Sequence, residues 1–326
     1  MKIILKVVGV LVAVVLVAAG GLYVWASMTT NRLTTRTFET HTADFPIPFP
    51  IDEAEASALG LAGQALQTAA RTRAIERGDH LLAARYPCRA CHGQNFGGGV
   101  MVDDAMLGHF LGPNLTMGKG SRTATFTARD WDRIVRHGVK SDGHGAVMPS
   151  EDFRNMSDQE LSDIVTFIRT QPPVDNQVPA STFGPVGTVL VAVGKLSYAA
   201  NTLAANTTHD VRPPTEEVSV EFGKHLASVC TGCHGPDLSG GPIVGGDPTW
   251  PPARNLTPDA TGLTGWTYQQ FVTALTDGKR PDGAELRAPM ATLVPRFTKN
   301  MREVERQALW AYVRSVPAVS KQIGKQ

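Results

Sequence analysis

The sequence predicts a mainly α chain, with one N-terminal membrane-spanning helix followed by two tandem helical domains of a single kind. Three observations carry that expectation. Val7 to Ala26 is twenty residues long without a charge, the pattern Cys-x-x-Cys-His occurs twice, and residues 78–172 match residues 223–317. A chain of 326 residues suits two or three domains of about 100–150 residues. Hydrophobic residues make up 42%, enough for packed cores. With 31 Lys+Arg against 30 Asp+Glu, the formal charge is +1. That balance excludes a nucleic-acid binder relying on a broad basic field.

At the N-terminus, residues 1–6 carry Lys2 and Lys6, and residues 7–26 form the apolar run. A helix of about 20 residues spans roughly 30 Å, the hydrocarbon thickness of a bilayer. Tyr23 and Trp25 near its end suit the membrane–water boundary. The next basic residue is Arg32, so the lysine bias places the N-terminus in the cytoplasm and the rest outside. Ala18-Ala19-Gly20 also offers a signal-peptide cleavage site. Anchor and cleaved signal alike export the chain. The expected location is the outer face of the cytoplasmic membrane, single-pass, with the folded domains in the periplasm.

Residues 27–70 read as a spacer, with room for a short helix at 52–68. Residues 71–175 form the first domain, 176–215 a linker, and 216–326 the second domain. The linker is bracketed by Pro179, Pro185, Pro213 and Pro214. Its apolar run at Val189–Val193 is too short to cross a bilayer. It predicts an amphipathic helix, packed between the domains or lying on the membrane surface.

All four cysteines fall in the two copies Cys88-Arg89-Ala90-Cys91-His92 and Cys230-Thr231-Gly232-Cys233-His234. This is the attachment sequence for haem c. Two thiols about a helical turn apart can each bond one vinyl group of a porphyrin, and the adjacent imidazole reaches the iron. A four-cysteine zinc site places its pairs some 15–20 residues apart, whereas these lie 142 apart. A thioredoxin-like pair requires neither the histidine nor the duplicate. Two covalently bound haem c groups are expected.

Within the repeat, Gly78-Asp79-His80-Leu81 aligns with Gly223-Lys224-His225-Leu226, and Asn114-Leu115-Thr116 with Asn255-Leu256-Thr257. Thr127 to Gly143 aligns with Thr267 to Gly283. Thr127, Thr267 and Ser157 read as helix starts, the last as a capping box with Glu160. Leu161, Ile164, Val165 and Ile168 follow at helical spacing, matched by Ala308, Leu309, Tyr312 and Val313. Gly78 and Gly223 interrupt helices at a cost of roughly 1 kcal/mol, which a close crossing against Phe167 or Tyr312 would justify.

On these motifs the chain resembles the class I c-type cytochromes over residues 70–175 and 215–320. It is similar in detail to membrane-anchored dihaem cytochromes and to the multihaem cytochrome subunits of periplasmic alcohol and sugar-acid dehydrogenases. The resemblance implies an α fold built around the haem. Met148 and Met290 each lie 56 residues after the motif histidine, beside Pro149 and Pro289. That places them as sixth ligands, and His/Met ligation gives a raised potential suited to electron transfer. The alternative is two core-filling methionines. His109, His137 and His144 have no counterpart in the other repeat and read as loop or surface residues. His80 and His225 match each other and read as packing or surface residues.

The resemblance further implies a proline carbonyl that orients the proximal histidine, a role Pro113 fits, and polar loop residues that bind the propionates. Arg254 and Trp266 are the candidates for that set, the alternative being a surface arginine and a core tryptophan, while the matched Asn114 and Asn255 are candidates for residues around the haem ligands. The expected function is single-electron transfer between redox-protein donors and acceptors, a dehydrogenase or a respiratory complex among them. Contact with membrane lipid comes through the N-terminal helix, and no nucleic acid is involved. The alternatives are a dedicated electron-transfer subunit of a periplasmic dehydrogenase and a dihaem peroxidase-type enzyme. Two matched methionines argue against the peroxidase, whose chemistry needs an open iron.

Overall fold

The computed structural model describes residues 2–243, 246–247 and 249–321. It begins with α1 (Lys2–Thr34), which runs eight residues past the uncharged stretch because neither proline nor glycine interrupts Leu22–Thr34. Residues 3–25 of α1 are exposed, and Ala26 is the first buried residue of the helix.

Residues 37–50 pack onto the first domain instead of lifting it away. Phe45, Ile47 and Phe49 alternate with Pro46, Pro48 and Pro50. Proline fixes an extended backbone, so every second side chain meets one face, and Ala43, Phe45 and Phe49 are buried in the first core. Ala43 N donates to Asp132 (2.6 Å) and Ser162 Oγ to the Pro46 carbonyl (2.7 Å). The expected spacer is in this part a structural element of the first domain. Two helices follow, α2 (Glu53–Ala58) and α3 (Gly63–Ala84).

The first domain continues through α4 (Cys88–His92), the hairpin β1 (Gly99–Asp104) and β2 (Gly108–Gly112), α5 (Ala128–His137) and α6 (Asp158–Ile168). The hairpin is an addition that helical periodicity does not reveal. Its turn is set by Asp104, whose carboxylate accepts from the Met106 and Leu107 amides at 2.8 and 2.6 Å. From the linker, β3 (Thr182–Phe183) joins β2 antiparallel, pairing Gly108 with Phe183. The linker helices α7 (Pro185–Ala192) and α8 (Ala200–Leu203) pack on α1 and α5 respectively. The linker helix α7 therefore lies against α1, and not between the two domains.

The second domain holds α9 (Val220–Ala227), α10 (Thr231–His234), α11 (Tyr268–Thr276), α12 (Met290–Arg296) and α13 (Glu303–Ser315). In each repeat the helix before the motif crosses the last helix at a glycine: α3 with α6, and α9 with α13. A Cβ on Gly78 would collide with the Asp163 carbonyl and lie 2.9 Å from the Phe167 Cβ. On Gly223 it would collide with the Ala308 carbonyl and lie 2.7 Å from the Tyr312 Cβ. Only glycine permits backbones this close, which offsets its low helix propensity.

Candidate functional site: two attachment motifs across one interface

The first motif forms the short helix α4, and the second runs from a 3₁₀ turn ending at Cys230 into α10. His92 Nδ1 donates to the Pro113 carbonyl at 2.9 Å, and His234 Nδ1 donates to the Arg254 carbonyl at 2.7 Å. The bond fixes the ring and leaves Nε2 as the lone-pair nitrogen. Burial pushes both imidazoles below their ordinary pKa, against the opposing pull of that carbonyl, so both are neutral at pH 7. Burial, reinforced by the neighbouring cysteine, pushes the Cys88 and Cys230 thiols up to about 12. Such thiols lack the stabilised thiolate of a redox dithiol or a zinc ligand.

The backbone carbonyl in the second domain belongs to Arg254, not to a proline, while the Arg254 side chain is exposed. The two asparagines are engaged with the backbone. Asn114 Nδ2 donates to the Val174 and Asn176 carbonyls at 2.7 and 3.3 Å, and its Oδ1 accepts from the Thr116 amide and hydroxyl. Asn255 repeats the pattern with Val319, Thr261 and Thr257. With both amide donors committed, these residues latch the segment after the last helix onto the motif loop, and they have no donor left for a propionate. Trp266 is half-buried against the second core.

Met148 is half-buried against the first core, just before the 3₁₀ turn Ser150–Asp152. Met290 is half-buried as the first residue of α12. Equal sequence spacing thus leads to different local structure. His109 is exposed and pairs with Asp103 at 2.6 Å, and His144 lies in a loop beside Asp142. His137 is buried, contrary to the surface placement expected: it ends α5 and donates from Nδ1 to the Leu203 carbonyl at 2.9 Å.

Trp131 belongs to no motif in the sequence. Its Nε1 is buried with no protein hydrogen-bond partner, the kind of donor that a haem propionate satisfies. The counterpart by repeat offset is Phe271, which carries no such donor; among the described residues of the second domain the side-chain nitrogen left without a hydrogen bond is Arg280 Nε. A tryptophan facing a phenylalanine across the repeat was the available signal. Neutral imidazoles on carbonyl hooks, paired thiols and an orphaned donor together fit haem c.

The strongest structural feature joins the two sites. Ala84, before the first motif, is buried in the second core, and Val229, before the second motif, packs on the first. Between them runs a buried ionic network with near two-fold symmetry. His80 bonds Glu305 at 2.9 Å and His225 bonds Glu160 at 2.9 Å, each reaching into the other domain. Arg85 bridges both carboxylates, to Glu160 at 3.0 Å and to Glu305 at 2.7 Å. Each glutamate uses its second oxygen at the start of the last helix, Glu160 on the Ser157 amide and Glu305 on the Arg302 amide. Burial raises both carboxyls, but the histidine hydrogen bonds and the Arg85 charge overcome it and hold both at about 2. On the other side of the interface, Asp152 lies against Gly232 of the second motif, where any side chain would clash with its carboxylate.

Comparison with known proteins agrees with this geometry. Residues 73–168 match the family described as "Cytochrome C oxidase, cbb3-type, subunit III", and residues 220–317 match "Cytochrome c". The chain is therefore a dihaem c-type cytochrome with two covalently bound haem c groups and an electron-transfer role. It is similar to the fructose dehydrogenase cytochrome subunit of Gluconobacter japonicus, 25% identical over 75% of this chain and 53% of the relative. It is also similar to the cytochrome c subunit of the quinone alcohol dehydrogenase of Gluconacetobacter polyoxogenes, 26% identical over 79% of this chain and 60% of the relative. A diheme cytochrome c-type protein of Cereibacter sphaeroides is 24% identical over 65% of this chain and 73% of the relative. The chain spans little more than half the length of the two dehydrogenase subunits.

Proposed function

We propose that this cytochrome relays single electrons on the outer face of the cytoplasmic membrane, from a dehydrogenase partner to a respiratory acceptor. The observation that carries this reading is the placement of both attachment motifs against one buried, charge-locked interface. Electron transfer requires close and constant spacing of the redox centres, and the network of Arg85, Glu160 and Glu305 supplies a fixed frame. In this reading Cys88 and Cys91 hold one group and Cys230 and Cys233 the other. His92 and His234 would supply the imidazole ligands, and Met148 and Met290 the thioether ligands. The bound haem supplies reversible ferric–ferrous chemistry with a potential raised by thioether ligation. The protein fixes the imidazoles and excludes water, and no general base or nucleophile is needed. The dehydrogenase partner is supported by the names of the two relatives. The membrane contact and outward orientation are supported by the apolar, exposed α1 and by Lys2 and Lys6 before it.

The test is purification of the full chain from native membranes in mild detergent. A co-purifying dehydrogenase whose substrate reduces both haems supports the reading. A solitary chain that no membrane dehydrogenase reduces overturns it.

A further inference from the structure

The linker helix α7 has two faces of different character. Gly187, Thr188 and Val191 are buried. Thr30 of α1 donates its hydroxyl to the Thr188 carbonyl at 2.7 Å, and Ala26 and Thr30 are both buried. The opposite face presents Val186, Val189, Leu190 and Val193 at the i, i+3, i+4, i+7 spacing of one helical stripe. Val186 and Val193 are 43% and 49% exposed. Met106, whose carbonyl accepts from the Val186 amide at 2.8 Å, is also exposed. From Asn176 to Gly194 there is no charged residue, and the exposed Lys195 follows directly.

The position of this stripe along α1 decides what covers it. Counting from Val7, a helix leaves a hydrocarbon core of about 30 Å after about 20 residues. That point is Ala26, where the contact with α7 begins. The stripe thus sits beside the anchor at the depth where acyl chains give way to headgroups. An eight-residue helix cannot cross the bilayer, but an apolar face next to a cation suits its boundary.

We infer that α7 is a second lipid contact, lying in the outer-leaflet interface with Val186, Val189, Leu190 and Val193 toward the acyl chains and Lys195 at the phosphates. Together with α1 it fixes the tilt of the first haem domain over the membrane. The inference rests on the reading of α1 as a membrane anchor. It is tested by spin-labelling the full haem-loaded chain in vesicles of neutral and anionic phospholipid, at Val186→Cys, Leu190→Cys, Val193→Cys and Lys195→Cys. A label at Val14→Cys reports on the anchor itself. The expected result is more collision with oxygen than with a water-soluble nickel chelate at 186, 190 and 193, and the reverse at 195. If Val14 behaves as membrane-embedded while 186, 190 and 193 are open to the nickel chelate, the α7 contact is refuted and the anchor stands. If Val14 is itself open to nickel, the anchor reading fails. If 190 and 193 are shielded from both reagents, a protein surface covers the stripe and the lipid contact is again refuted. The labels at 186 and 193 replace exposed side chains and leave the fold intact, which unchanged haem content verifies.

Discussion

Arg85 bridges two buried carboxylates, so Arg85→Leu is the sharpest perturbation of the interdomain network. The substitution removes hydrogen bonds to Glu305 at 2.7 and 3.1 Å and to Glu160 at 3.0 Å. It leaves the two buried acids with hydrogen bonds from His80, His225 and the Ser157 and Arg302 ends of the last helices. Breaking a buried pair by deleting one partner costs about 3–5 kcal/mol, because the remaining charge stays desolvated. The loss has a predictable pH dependence. In the native protein both carboxyls sit at about 2 against an ordinary 4.5. Their contribution is therefore complete above pH 4.5 and disappears as the pH falls toward 2. Without Arg85 both carboxyls rise, so the penalty is largest at neutral pH and shrinks in acid, where the acids protonate. The assay is guanidinium unfolding of the haem-loaded chain in detergent at pH 7 and at pH 4. A single transition in the parent should split into two in the variant, since the lost contacts join the domains. A penalty below about 0.5 kcal/mol, the range of surface substitutions, equal at both pH values, would show that the network is not a buried lock.

Other outcomes follow from the same geometry. Gly78→Ala and Gly223→Ala force a methyl into the Asp163 or Ala308 carbonyl and should each cost at least about 1–3 kcal/mol. Unaltered thermal melting would contradict the close crossings. Asp152 is pushed up to about 6 by burial and by Glu151. Its stabilising protonated form is fully present below its ordinary 3.8 and is lost as the pH rises through about 6. Asp152→Asn should therefore raise stability at pH 7 and flatten its slope between pH 4 and 6. Trp131→Phe removes a donor expected at a propionate, leaving that negative charge less compensated, and so should lower one of the two midpoint potentials in a spectroelectrochemical titration. Cys88→Ser combined with Cys91→Ser should reduce the mass by one haem and leave the other intact.

The attachment motifs, the repeat and the glycine crossings were legible because each depends on residues close in sequence or at a fixed offset. The contact of His80 with Glu305 spans 225 residues and was not. The sequence showed that His80 and His225 correspond, yet nothing local states that each serves the opposite domain. Glu160 was legible as half of a capping box, but its outward oxygen acquires meaning only once Arg85 and His225 arrive. The alternating Phe-Pro-Ile-Pro-Phe segment looked like a spacer because proline excludes helix. Its period of two was in fact the signature of a strip laid on a core. The asparagines stood out as a matched pair, but their role as latches shows only once their amide bonds are traced. Trp131 lay within an aligned stretch, but its isolation from any partner exists only in three dimensions.

The most direct measurement of the account is low-temperature electron paramagnetic resonance of the oxidised full chain, with haem quantified by mass. The expected result is two haems per chain, both low-spin ferric, with Met148→Ala and Met290→Ala each converting one of them to high spin. A high-spin signal in the parent, or methionine variants that leave both signals unchanged, would contradict it.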